Sequence, residues 1–159
     1  MMKIWIKNQQ KLIPLDSRKI KRTVQKILSN LGLPEAELSI LFVNDQQIRG
    51  MNRKYLGRDK PTNVLSFSMR EGVNSSLNPH LLGDLVISIE TAIRQSKAWG
   101  LSPMKMMTLL MIHGILHLIG YEHEGDRKEA RKMALKQKLL FHQVTQSAPS
   151  KSRSKTRKK

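Results

Sequence analysis

The sequence predicts an α/β fold, organised as one domain around a central apolar helix. The chain has 159 residues, of which 39% are hydrophobic, so it is long enough to bury one core. Four short segments have the apolar pattern of strands, and five longer ones have the 3.6-residue pattern of helices. One of these helices begins at Ser102 and Pro103, ends at Gly120 and is apolar on nearly all sides. Such a pattern is typical of a helix buried at the centre of a domain.

The first strand is expected at Ile4–Lys7, where apolar and polar residues alternate. A helix follows, which Asp16 or Ser17 caps and Gly32 ends. One face of this helix is apolar. Its other face is either solvated surface or a contact for RNA. That face carries five basic residues, Arg18, Lys19, Lys21, Arg22 and Lys26.

The middle of the chain predicts three further strands. They are expected at Leu38–Val43, Asn63–Ser68 and Leu82–Ile89, and Asp45 caps a short helix after the first of them. Residues 70–81, between the last two strands, are mostly polar and include glycine and proline. This composition predicts a loop, which we expect to lie over the functional site.

The C-terminal part of the chain is predicted to be helical, except for its end. A helix from Glu90 to Trp99 precedes the central helix, and a polar helix from Asp126 to Gln143 follows it. Residues 146–159 contain only Ser, Gln, Ala, Pro, Thr, Lys and Arg, and cannot form a core. We therefore expect a folded domain at residues 1–145 and a disordered basic tail at 146–159.

Three histidines in and after the central helix predict a metal site. His113 and His117 are four residues apart, so their imidazoles project from the same helix face. Gly120 permits a sharp turn that can return His123 to the first two. Three neutral nitrogens suit a zinc ion with an open fourth position, where a bound water becomes a ready source of hydroxide. Ligand type alone leaves nickel, copper and cobalt as alternatives.

The spacing H-x-x-x-H-x-x-G-x-x-H is the ligand pattern of the metzincin proteases, with one difference. Where those enzymes have a catalytic glutamate, this chain has Gly114. Two other interpretations are weaker. A single histidine on an apolar helix is usually a core residue, but three at this spacing are not explained in that way. A membrane span is disfavoured because Lys105, Thr108 and two histidines interrupt a run that is already short.

The charge of the chain favours a polyanionic partner. The sequence has 29 basic and 12 acidic residues, which gives a net charge of +17. The six basic residues from Lys151 onward leave +11 on the remainder by subtraction, so the domain itself is basic. Nucleic acid is the leading candidate. Cysteine is absent, and the N-terminus lacks the apolar run of a signal peptide, so a cytoplasmic protein is expected.

Three separated blocks of the sequence resemble the YbeY family of metal-dependent endoribonucleases. They are HGILHLIGYEH (His113 to His123), YLGRDKPTNVLSFS (Tyr55 to Ser68) and LLGDLVIS (Leu81 to Ser88). The resemblance covers residues 3 to 143. It implies a small mixed sheet, one zinc ion on the three histidines, and hydrolysis of single-stranded RNA. The family's best-known substrate is precursor small-subunit ribosomal RNA near its 3′ end, and a role in ribosome quality control is also implied.

Further site residues are expected beside the histidines. The family commonly has an arginine directly after the tyrosine of the Y-x-G block, where this chain has Leu56. Arg58 or Arg53 is then the candidate substitute. Asp84 is expected either to orient a histidine or position water, or to be a turn aspartate that stabilises its own backbone. Ser66 is expected either to face the cleft or to bond to the sheet.

These observations favour a zinc-dependent endoribonuclease of single-stranded ribosomal RNA that works with the small ribosomal subunit. An RNA-binding assembly factor with a structural metal site is the main alternative. A peptidase is the third, and it is disfavoured because Gly114 replaces the expected base and the chain is strongly basic.

Overall fold

A computed structural model of the chain describes residues 1–70, 78–121 and 126–146. The described part contains, in order, β1 (Lys3–Asn8), α1 (Ser17–Asn30), β2 (Glu37–Val43), α2 (Asp45–Leu56), β3 (Val64–Ser68), β4 (Leu81–Ser88), α3 (Ile89–Trp99), α4 (Pro103–Leu118) and α5 (Arg127–Thr145). The predicted α/β fold with four strands and five helices is confirmed. Most of the expected 70–81 loop and nearly all of the expected tail lie outside the described residues.

The strands form one sheet in the order β1-β2-β4-β3. β1 pairs with β2 and β2 pairs with β4 in parallel, whereas β3 pairs with β4 in the antiparallel direction. The mixed four-stranded sheet is therefore as expected. The antiparallel strand β3 lies at the edge, where the 55–68 block of the sequence meets β4.

The core lies mainly on the face of the sheet that α1 and α4 cover, and α5 packs against these two helices. Alternate residues of β2 and β4 point to this face, where they are fully buried. They are Leu38, Ile40, Phe42, Leu85 and Ile87. A smaller cluster lies on the other face, beneath α2, and consists of Val43, Ile48, Leu65 and Val86.

The central helix α4 belongs to the core. Ten of its 16 residues are buried. None of the described helices is long and apolar enough to cross a membrane by itself. α3 and α4 meet that criterion only together, and their axes are bent by 111° at the break between them.

Gly83 lies on β4 at a shift in the pairing register with β2, and it also approaches β3 closely. The pairing with β2 skips one residue, since Glu37 faces Leu81 and Leu38 faces Gly83. Gly83 has φ +140°, and a Cβ built there would lie 2.1 Å from the carbonyl oxygen of Phe67 on β3. Only glycine therefore permits this conformation and this approach of two strands.

Replacing Gly83 with alanine is expected to lower the free energy of unfolding by roughly 3 kcal/mol, because backbone strain and a main-chain clash act together. Gly50 provides the matched control. It lies in α2 with nothing within 4 Å of a built Cβ, so Gly50→Ala should raise stability by about 1 kcal/mol through helix propensity. Urea unfolding of both variants measures the difference, and similar effects of the two would contradict this account.

Candidate active site

α4 holds His113 and His117 above the β3 edge of the sheet. The helix starts at Ser102, whose hydroxyl accepts a hydrogen bond from the backbone N–H of Lys105 at 3.2 Å, with Pro103 in the first turn. The burial of the helix on several sides fixes its rotation about its own axis. As a result, the two histidines are half-buried side chains on an otherwise buried helix.

The two imidazoles converge on a common point. The Nε2 atoms of His113 and His117 are 3.2 Å apart, and the rings meet edge to face at 77°. The Nδ1 atom of His113 lies 2.8 Å from Oε1 of Gln137 on α5. In the tautomer that donates from Nδ1 to this amide oxygen, Nε2 has the lone pair. That tautomer is the one suited to metal binding through Nε2.

This geometry fits two ligands of one zinc ion. Two nitrogens bound to a tetrahedral zinc at about 2.0–2.1 Å lie about 3.3 Å apart, and the two Nε2 atoms are separated by 3.2 Å. Within residues 1–70, 78–121 and 126–146, no group of three His, Cys, Asp or Glu side chains surrounds such a position. His123, the third expected ligand, lies outside the described residues. It stays a prediction, as does the metal.

Gly114, which lies between His113 and His117 in the sequence, is a point of close contact between α4 and the sheet. A Cβ built on it would lie 2.6 Å from Cδ2 of Leu85 and 3.3 Å from the hydroxyl of Ser66. Because Leu85 is fully buried, a side chain at this position would have to displace it. The helix therefore packs directly against β3 and β4 at this point, and the glutamate of the metzincin pattern would not fit there without displacing the core.

The histidines lie in a cleft of about 480 Å³ with positively charged residues at its edge. Arg58 and Lys60, both exposed, line it together with Ser66 and with polar residues of the segment before β3. No aspartate or glutamate is among the described residues that line it. The cleft is thus suited to an anionic ligand next to the two imidazoles.

Of the two candidate replacements for the missing arginine, the structure brings Arg58 to the cleft. Arg53 lies on α2, and it is not one of the described residues of the lining. The helix ends at Gly57, whose φ of +70° turns the chain so that the segment after it runs toward the histidines. Leu56 also lines the cleft. The arginine position of the family is therefore occupied by an apolar side chain at the same edge.

The segment that carries Arg58 and Lys60 is held to α2 at two adjacent residues, Asp59 and Lys60. Buried Asn52 on α2 donates a hydrogen bond from Nδ2 to the carbonyl oxygen of Lys60 at 2.9 Å. Arg49 on α2 binds Asp59 through two nitrogens, at 2.9 and 3.3 Å. The hydrogen bond from Arg49 lowers the pKa of Asp59, so this carboxylate stays ionised and paired. The two cationic residues thus project from an anchored loop.

Of the two alternatives that the sequence left open for Ser66, the structure shows the one in which the side chain faces the cleft. Its hydroxyl also donates a hydrogen bond to the carbonyl oxygen of Gly114, at 3.3 Å. The bond therefore links β3 to α4 instead of closing within the sheet.

Asp84 lies on the opposite face of the sheet from the histidines. The next residue, Leu85, points to Gly114 of α4, and successive strand residues point to opposite faces. The exposed carboxylate of Asp84 accepts a hydrogen bond from the hydroxyl of Ser39 on β2. A direct role for Asp84 beside the histidines has no support in this geometry, because the sheet lies between them.

Sequence reasoning missed three residues of the site. Gln137 carries no motif, and only the packing of α5 against α4 brings it to His113. Lys60 is within the 55–68 block, and its positive charge could have indicated a contact with an anionic ligand. Asn52 has a buried Oδ1 without a hydrogen-bond partner among the described residues, a feature that no sequence pattern reveals.

Comparisons with known proteins place the chain among ribonucleases. The family model described as endoribonuclease YbeY matches residues 5–145. The endoribonuclease YbeY of Syntrophus aciditrophicus is 46% identical over 141 residues, which covers 88% of each chain. That of Geobacter metallireducens is 43% identical over 141 residues, covering 88% of this chain and 94% of the relative. The solution structure of a Thermotoga maritima protein has the same fold, with a TM-score of 0.62 at 23% identity over 93% of this chain and 99% of that one.

Introducing the metzincin glutamate tests the packing at Gly114. Gly114→Glu is expected to lower the free energy of unfolding by roughly 3 kcal/mol, because the side chain overlaps Leu85 and brings a charge into the core. Gly50→Glu, at an open helix position, should raise stability by about 0.5 kcal/mol, because glutamate has a higher helix propensity than glycine. Chemical denaturation measures both. A Gly114→Glu protein as stable as the control would show that α4 can move away from β4.

Proposed function

Because the chain belongs to the YbeY family of endoribonucleases, we propose that it is a zinc-dependent enzyme that cleaves single-stranded RNA. The observation that carries this proposal is the cleft itself. Two metal-competent imidazoles share it with Arg58 and Lys60, and the described lining has no carboxylate. A phosphodiester needs this combination of a hydrolytic centre and cationic groups.

Arg58 and Lys60 are proposed to bind the phosphate at the cleavage site. A guanidinium presents planar donors that match two phosphate oxygens, and an ammonium adds a compact charge. Both groups stabilise the negative charge that increases on those oxygens as water attacks phosphorus. Since the loop that carries them is anchored to α2, their approach to the cleft requires little reordering of the backbone.

The histidines are proposed to hold one zinc ion, with His123 as third ligand beside His113 and His117. Bound there, the ion would supply Lewis acidity and an activated water at neutral pH. In the required tautomer Nδ1 of His113 donates to Gln137, and Ser66 ties β3 to the backbone of α4 next to the histidines. Nickel, copper or cobalt would satisfy the same ligands.

The proposed substrate is ribosomal RNA. We propose maturation of the 3′ end of small-subunit ribosomal RNA, participation in ribosome quality control, and a cytoplasmic location with the small subunit as partner. The similarity to the endoribonucleases YbeY of Syntrophus aciditrophicus and Geobacter metallireducens supports the endoribonuclease activity. The basic charge of the chain, +17, supports a polyanionic substrate. A peptidase is disfavoured, since Gly114 has no room for the base of that chemistry.

Replacing His117 with alanine is expected to abolish both metal binding and RNA cleavage, because it removes one of the two convergent nitrogens. Bound metal is quantified by elemental analysis, and cleavage is followed on a single-stranded ribosomal RNA fragment. His142→Ala is the matched control, since His142 is exposed on α5 and is not part of the described lining. It should retain metal and activity.

The pattern of outcomes separates the alternatives. Equal cleavage by wild type and His117→Ala would indicate a contaminating nuclease and contradict the proposal. A wild-type protein that binds metal and RNA without cutting would favour the assembly factor with a structural metal. Cleavage of peptides instead of RNA would favour the peptidase.

Removal of the Arg58 side chain tests the proposed phosphate contact. Arg58→Ala is expected to lower cleavage about 100-fold with metal content unchanged, since one donor to the developing charge is lost. Arg58→Lys should recover part of the rate because it restores the charge without the bidentate geometry. Lys97→Ala removes the same charge from α3, outside the cleft lining. If Arg58→Ala and Lys97→Ala cleave equally, Arg58 has no specific role.

A further inference from the structure

A second concentration of positive charge lies away from the histidine cleft, in a groove of about 450 Å³ between α1 and the start of α4. One wall carries Lys19, Arg22 and Lys26, which recur every three or four residues along one side of α1. Lys105 lines the groove from α4, and Gln146, at the end of α5, closes it. We call this feature the α1 groove.

The charges of the α1 groove are not used to stabilise the fold. All four cationic residues are exposed, and none takes part in an ion pair within the described part of the chain. No aspartate or glutamate is among the described residues that line the groove. Lys19 and Lys105 also lie in the first turns of their helices, where the helix dipole disfavours a cation. A bound anion would offset this unfavourable interaction of the two lysines with the helix dipoles.

We propose that the α1 groove is a sequence-independent binding site for the phosphate backbone of single-stranded RNA, outside the histidine cleft. Regularly spaced cations along a groove fit a chain of regularly spaced phosphates. Six more basic residues follow Gln146 in the sequence. The proposal rests on the proposed function in one respect, namely that the bound RNA is the substrate.

The α1 groove and the cleft are connected by α4. Lys105 and His113 are eight residues apart on this helix, which corresponds to about 12 Å at 1.5 Å per residue. An RNA segment bound in the groove thus keeps the rest of the same molecule close to the cleft and raises its effective concentration there. The groove then affects the binding of long substrates without affecting the chemical step.

The test uses the full chain with three substitutions combined, Lys19→Gln, Arg22→Gln and Lys26→Gln, which we call the groove variant. Glutamine removes the charge and keeps a high helix propensity. The matched control combines Lys11→Gln, Lys97→Gln and Arg131→Gln, which removes the same charge from exposed sites outside the groove lining. Fluorescence anisotropy measures the affinity for a labelled unstructured RNA of about 20 nucleotides over a range of salt. Circular dichroism verifies that both variants are folded.

The plot of log affinity against log salt has a negative slope, which becomes less steep by about 0.7 for each phosphate contact that is lost. For the groove variant, which loses three cations, we expect the slope to be less steep by roughly 2. Its affinity at low salt should be at least roughly 10-fold weaker than that of the control. Lys105→Gln, on the opposite wall, should reduce the slope by about 0.7 and provides an independent variant. Cleavage of a long substrate should show a raised KM and an unchanged kcat.

The outcomes separate this proposal from the proposed function. If the protein binds RNA through the groove but does not cleave it, the groove site stands and the nuclease assignment fails. If the groove variant binds and cleaves long RNA as the control does, the groove proposal is wrong while the nuclease remains. Vesicles with anionic lipid are the second probe, and dependence on the groove for vesicles but not for RNA would also overturn the proposal.

Discussion

The direct packing of α4 against β3 and β4 at Gly114 is the contact on which the site depends. Because Gly114 has no side chain, the helix approaches Leu85 and the hydroxyl of Ser66 without an intervening group. This approach sets the height of His113 and His117 above the sheet edge. It also removes the space that a glutamate would need, so the chain keeps the histidine spacing of a metalloprotease without that enzyme's base.

The positive charge of the protein is distributed over distinct sites. Arg58 and Lys60 lie at the histidine cleft on a loop that Asn52 and the Arg49–Asp59 pair hold to α2. The α1 groove has charges that no described acidic side chain neutralises. In each place no aspartate or glutamate is among the described lining residues, and the cations repel one another. Such an arrangement attracts a polyanion electrostatically.

Local sequence patterns predicted much of the fold, but they predicted only some of the functional side chains. The histidine pair was predictable because a four-residue spacing on a helix places two side chains together regardless of the rest of the protein. The choice between Arg53 and Arg58 was not predictable, since it depends on the turn at Gly57. Asp84 was expected beside the histidines or in a turn. Strand alternation and the position of α4 place it on the other face, bonded to Ser39.

By itself, the sequence determined the elements, the helix that carries the histidines and the basic character of the chain, because these depend on periodicity, caps and composition. Only the tertiary structure decided that Gln137 orients His113, that Arg58 reaches the cleft and that Gly114 excludes a larger residue. The same is true of the α1 groove, whose walls come from segments about 80 residues apart. These features arise from contacts between distant segments, and such contacts depend on how the elements pack.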